Sequence, residues 1–133
     1  MTNVFRMLIF VFFAIGLSAI EITPPLEQPV YPESARAKGV EGDVTLEIRF
    51  LDYRSMISVS RQSQSGLLGK QAKNEVWKWH FSETKPGRTI KVVFHYRLDD
   101  SVQKTTVKFS NHNREVTITA PTFNTQIRGA SFR

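Results

Sequence analysis

Between Thr89 and Leu98 the chain alternates without interruption. Ile90, Val92, Phe94, Tyr96 and Leu98 fall on one side of an extended backbone; Lys91, Val93, His95 and Arg97 fall on the other. A period of two sustained over this length specifies a strand with one buried face, because the apolar positions of an amphipathic helix recur every three or four residues. Gly42–Phe50 has the same pattern, with Val44, Leu46, Ile48 and Phe50 opposed to Thr45, Glu47 and Arg49. Residues 56–61 form a weaker strand with Ile57 and Val59 inward, and the turn at residues 51–55 makes the pair an antiparallel hairpin.

A sheet with one apolar face needs cover, and two segments have helical character. In residues 31–39, Pro32 suits a first helical position, Glu33 lies in the first turn, Arg36 and Lys38 lie in the last, and Gly39 can close the helix in a left-handed conformation. After Ser65, a good N-cap, Leu68, Ala72, Val76 and Trp79 recur at helical spacing. Pro86-Gly87 ends the connection to the next strand. The element order of helix, strand, strand, helix, strand predicts an α+β fold. Two helices pack on one face of a three-stranded antiparallel sheet. Residues 105–109 and 116–119 are short strand-like pieces, so an extra C-terminal strand or hairpin remains open; the tail to Arg133 reads as polar and mobile.

The N-terminus reads as an address. One positive charge precedes an uncharged apolar run from Met7 to Ile20, with small residues at Gly16, Ser18 and Ala19. This fits a signal peptide over residues 1–19. The rival reading, a retained anchor, needs about 20 apolar residues. Residues 20–27 then form a Pro-containing lead, within an extended stretch bearing Pro24, Pro25 and Pro29.

Chemistry is sparse. The chain has no cysteine, which excludes disulfides, thiolate metal sites and a cysteine nucleophile. None of His80, His95 and His112 has a second ligand at metal-binding spacing, no nucleophile elbow surrounds a serine, and no Gly-rich phosphate loop is present. No catalytic residue, cofactor or metal is expected. The net charge of +6 comes without a run of five basic residues, so nucleic acid is not expected as a partner. In the cluster Trp77-Lys-Trp-His-Phe81, Trp79 lies on the apolar helix face and reads as core. Trp77 lies off it, leaving partial burial and a binding role both open.

Several short motifs then occur in one order. Gln28-Pro-Val-Tyr-Pro32, Ala35 and Gly39-Val-Glu-Gly42-Asp-Val44 are followed by Ser65-Gly66, Trp79-His-Phe81 and Pro86-Gly87. Over residues 28–98 the chain resembles the C-terminal domain of TonB. That resemblance implies a non-catalytic periplasmic domain that grips an extended peptide of an outer-membrane receptor, added as a strand to the sheet edge. By the same resemblance the edge strand is residues 90–98, with Lys91, Val93, His95 and Arg97 facing outward and Gln28, Tyr31 and Pro32 beside the peptide. Tyr31 and Pro32 have an equal structural reading, in which they lock the start of the helix.

The sequence departs from a complete TonB in four ways. The hydrophobic run is short. Residues 21–30 span at most about 35 Å when extended, too little to cross the periplasm. Tyr53-Arg54 stands where the family usually has Gly in the first hairpin turn. Residues 99–133 are an extension, and a strand at 116–119 would occupy the edge a receptor uses. The expected function is therefore a periplasmic or secreted module binding a peptide or protein edge by strand addition. The alternatives are an inner-membrane-anchored energy transducer, membrane-associated only if the N-terminal segment is retained, and a self-associating structural protein that forms a homodimer through its edge.

Overall fold

The computed structural model describes residues 20–51, 56–62, 65–82 and 87–122, with backbone alone for residues 56–62. The expected signal segment, the turn at residues 52–55, the inward side chains of Ile57 and Val59, and the tail beyond Thr122 lie outside the described residues.

The lead contributes a short strand, β1 (Ile22–Thr23), and is followed by α1 (Glu33–Ala37). Pro32 occupies the N-cap of α1 rather than its first turn. Its ring fixes φ at −59° and brings no amide that would need a partner. Gly39 ends the helix region at φ +69°, a conformation that disfavours a side chain. β2 (Gly42–Phe50), β3 (Met56–Gln62), α2 (Gly66–Val76), β4 (His80–Phe81) and β5 (Thr89–Leu98) follow. The hydroxyl of Ser65 caps α2 by accepting from the Leu68 amide at 3.4 Å.

Beyond β5 the chain forms β6 (Thr106–Ser110) and β7 (Glu115–Ala120), an antiparallel hairpin. Its turn places Asn111, His112 and Asn113 at φ 52°, 53° and 63°. Asn tolerates this left-handed region better than most residues, and the Asn113 side chain also ties the turn to β1, donating to the Ile22 carbonyl at 2.9 Å.

The three strands expected to form an antiparallel sheet are joined by the C-terminal hairpin that the sequence left open, so the sheet is five-stranded and mixed, in the order β3-β2-β5-β7-β6. β2 pairs antiparallel with β3 and β5, while β7 pairs parallel with β5. The physical reason is the hairpin. β7 turns back past β6 and inserts between β6 and β5, where the amides of β5 would otherwise face solvent. A second, two-stranded sheet joins β1 to β4.

One core runs under β2, β5 and β7. Val44, Leu46, Ile48 and Phe50 of β2, Ile90, Val92, Phe94 and Tyr96 of β5, and Val116, Ile118 and Ala120 of β7 point to the same side. Ala35, Leu68, Ala72, Val76 and Trp79 cover them. Trp79 is buried and stacks on Phe94 at 5.4 Å, and Phe109 of β6 leans on it at 5.8 Å. Trp77 remains 46% exposed. Ile20 and Ile22 are buried as well, so the start of the lead packs into the folded body.

Candidate partner-binding site

By the resemblance, residues 90–98 are the edge strand a partner uses, unless a strand at 116–119 occupies that edge. The second case holds: β7 pairs with β5, Val93 to Leu98 against Glu115 to Ala120. The Val93 amide donates to the Arg114 carbonyl at 2.9 Å, and the Asp99 amide to the Ala120 carbonyl at 2.9 Å. Alternation puts the amides of His95 and Arg97 on the same side. The chain has thus added a strand to itself at this edge. The pairing stops short of the first part of β5: among the described residues, no strand covers Thr89 to Val92 on that side.

The side chains of β5 that face away from the helices form a charged cluster across three strands. His95 lies between two carboxylates, with Nδ1 2.8 Å from Oδ1 of Asp43 on β2 and Nε2 3.0 Å from Oε1 of Glu115 on β7. A neutral imidazole carries one N–H; only the imidazolium donates to both partners. Burial, the largest influence, pulls the His95 pKa down, but the hydrogen bonds to Glu115 and Asp43 together outweigh it and hold it above its ordinary value. Arg97 donates from Nη2 to the same Asp43 oxygen at 2.7 Å and from Nη1 to the Tyr96 carbonyl at 3.1 Å. The hydrogen bond from His95, partly opposed by burial and reinforced by Arg97, lowers the Asp43 pKa. Among the described residues no group of histidines and carboxylates is arranged to hold a metal ion.

The other predicted contacts lie elsewhere. Lys91 is exposed, opposite Glu47 of β2 in the register. Val93 is half-buried beside the start of β7. Gln28 is exposed on the lead, and Pro32 is half-buried. Tyr31 is 1% exposed; its ring meets Tyr96 edge-on at 5.3 Å, and its hydroxyl donates to the Val40 carbonyl at 2.6 Å. Burial pushes the Tyr31 phenol up to about 12. Tyr31 therefore packs on the helix side of β5, whereas Lys91, Val93, His95 and Arg97 project from the opposite side. The seven residues do not converge on one patch.

Sequence reasoning missed Asp43 and Glu115, which give His95 its setting. Asp43 was legible as an outward residue one position before Val44. Its pairing with His95 depends on a cross-strand register that local patterns do not carry. The hairpin also has fixings that no motif announced. Arg36 donates from Nε to the Pro121 carbonyl at 2.9 Å, and Asp100 accepts from both the amide and the hydroxyl of Thr122 at 2.9 Å.

The chain matches a family model described as the Gram-negative bacterial TonB protein C-terminal over residues 27–98, a little over half its length. The match ends where β5 ends, so the β6–β7 hairpin lies outside it. No curated protein and no solved structure matches the chain. With its helices and the β2, β3 and β5 strands all inside the matched segment, the chain belongs to the TonB C-terminal domain family.

Proposed function

We propose that this protein is a non-catalytic binding module of the Gram-negative envelope, working in the periplasm, that takes an extended segment of a protein partner as an added strand along β5. The family is one of periplasmic protein-interaction domains tied to TonB-type envelope transport. The observation that carries the reading is the β5–β7 ladder: the outward amides of β5 already hold an extended parallel segment in register. Backbone hydrogen bonds along such an edge supply affinity, and alternate side chains supply selectivity. Thr89–Leu98 contains no proline, so no donor is missing along it.

The lead bears on the anchored-transducer alternative. Ile20 and Ile22 are buried, and the Ser82 amide donates to the Glu21 carbonyl at 2.9 Å. These contacts hold residues 20–23 against the folded body, which favours the unanchored reading over an extended spacer at this point of the chain. No helix among the described residues is long and apolar enough to cross a membrane.

A photo-crosslinking residue at Lys91 tests the reading in the native host, with the same probe at Arg49 on β2 as the control. The proposal expects the Lys91 probe to attach to an extended segment of an envelope protein, and the Arg49 probe to attach to it far less. Attachment that favours Arg49, or a crosslinked partner that maps to the helices, would overturn it.

A further inference from the structure

Val116, Ile118 and Ala120 are completely buried, and burying a side chain the size of Val116 or Ile118 stabilises a fold by about 1.5–3 kcal/mol. Stripping β7 away and leaving the site empty is therefore strongly unfavourable. Exchanging it for a strand that buries equivalent side chains is much closer to balanced. The geometry sets where an exchange would start. Thr89 to Val92 extend past the end of β7 with no strand beside them among the described residues, and Lys91 there is exposed. The first rungs of β7 next to that open stretch are Glu115 against Val93 and the contact of Glu115 with His95.

We propose that the β6–β7 hairpin is a resident occupant of the partner site, displaced by an incoming strand that pairs first with Thr89–Val92 and then replaces β7. This rests on the strand-addition reading and adds the chemistry of the partner. The incoming segment runs parallel to β5, and its order copies Glu115 to Ala120: an acidic position able to meet His95, then apolar side chains at alternate positions ending in a small one. The polar positions between them lie on the outer side, where Thr117 faces His95 and Thr119 faces Arg97. Because the hairpin is tethered, it competes at an effective concentration of the order of millimolar. A partner succeeds by matching the pattern, by engaging the open stretch, or by being held nearby.

The chain has no cysteine, so a lock can be built cleanly. Val93 and Glu115 are register partners on the outward side of β5 and β7. In the full chain carrying Val93→Cys and Glu115→Cys, oxidation pins the hairpin, and reduction leaves it with one fixing fewer. The probe is a synthetic peptide with the sequence of residues 111–122, at millimolar concentration. Binding should be at least tenfold tighter to the reduced than to the oxidised form. A peptide with Asp in place of its two aliphatic side chains should not bind. In the wild-type chain, added peptide should speed hydrogen exchange in β6 while β5 stays protected.

Equal binding to the oxidised and reduced forms, with new protection on β6, would overturn displacement and leave strand addition at the outer edge. Absence of peptide binding to the folded reduced form would also overturn this proposal. The Lys91 crosslink would then decide separately whether a partner uses β5 at all.

Discussion

Glu115 of β7 places its carboxylate 3.0 Å from Nε2 of His95 on β5, and the other nitrogen of the same ring lies 2.8 Å from Asp43 on β2. One imidazole thus joins the family's sheet to the strand that lies outside the family match. The folded pKa of His95 is raised above its ordinary 6.5, so its contribution is complete below about pH 6.5 and is lost as pH rises through the folded value. Asp43 has a lowered pKa; its contribution is present above its ordinary 3.8 and is lost as pH falls through the folded value. The stability contributed by this cluster should be flat between these limits and decline on both sides. His95→Gln should remove the cluster's share of the alkaline decline, at a cost of about 1 kcal/mol or less near pH 6 because the cluster is partly solvated. Melting curves from pH 4 to 9 check this, and an unchanged alkaline limb in the variant would contradict it.

Glu75 lies on the buried side of α2 with 2% exposure. Burial is the main cause of its raised pKa, and Lys78, 3.9 Å away, opposes the shift only in part. A carboxyl of this kind favours the fold when protonated and loses that contribution as pH rises through its folded value. Glu75→Gln should therefore be more stable than the parent at pH 8, by about 1 kcal/mol or more, with the difference vanishing below about pH 4. Denaturant midpoints at the two pH values measure it.

Two tyrosines in edge-on contact should respond oppositely to loss of the hydroxyl. The Tyr31 hydroxyl donates to the Val40 carbonyl, whereas the buried Tyr96 hydroxyl has no hydrogen-bond partner among the described residues. Tyr31→Phe should destabilise by about 0.5–1.5 kcal/mol, and Tyr96→Phe should be neutral or stabilising by up to about 1 kcal/mol. Equal losses from both would contradict the assignment.

Val93→Pro removes the amide that donates to Arg114. Its first effect should fall on the hairpin, because the amide points away from β2. Limited proteolysis should cut the variant within residues 99–114 well before the rest of the domain, while the wild-type chain resists there. Uniform loss of protection across the domain would mean that the hairpin and the sheet come apart as one unit.

Alternation made β2 and β5 legible, since a period of two is a local property and both runs are long. The helix signals at Pro32, Gly39 and Ser65 were legible for the same reason: caps act within a few residues. The strand character of β6 and β7 was also local, and their ends shift by only one residue or so. That a strand at 116–119 could occupy the edge of β5 was legible; its parallel direction and its register were not. A parallel neighbour is set by a return path through β6 and by buried contacts far apart in sequence, such as Phe109 with Trp79. β1 and β4 are two residues each, too short to leave a period. Of the site, the outward positions of Lys91, His95 and Arg97 followed from the pattern. The partners of His95 did not, and neither did Glu75, a charged residue within an apolar face.

The central claim is that the edge of β5 is occupied by the chain's own β7. Residue-resolved hydrogen exchange of the full chain at the Val93 amide tests it most directly. If β7 is seated, Val93 and Asp99 exchange slowly, together with the amides of β7, and Lys91, beyond the end of the ladder, exchanges fast. Rapid exchange at Val93 and Asp99, at the rate of Lys91, would mean an open edge and contradict the account.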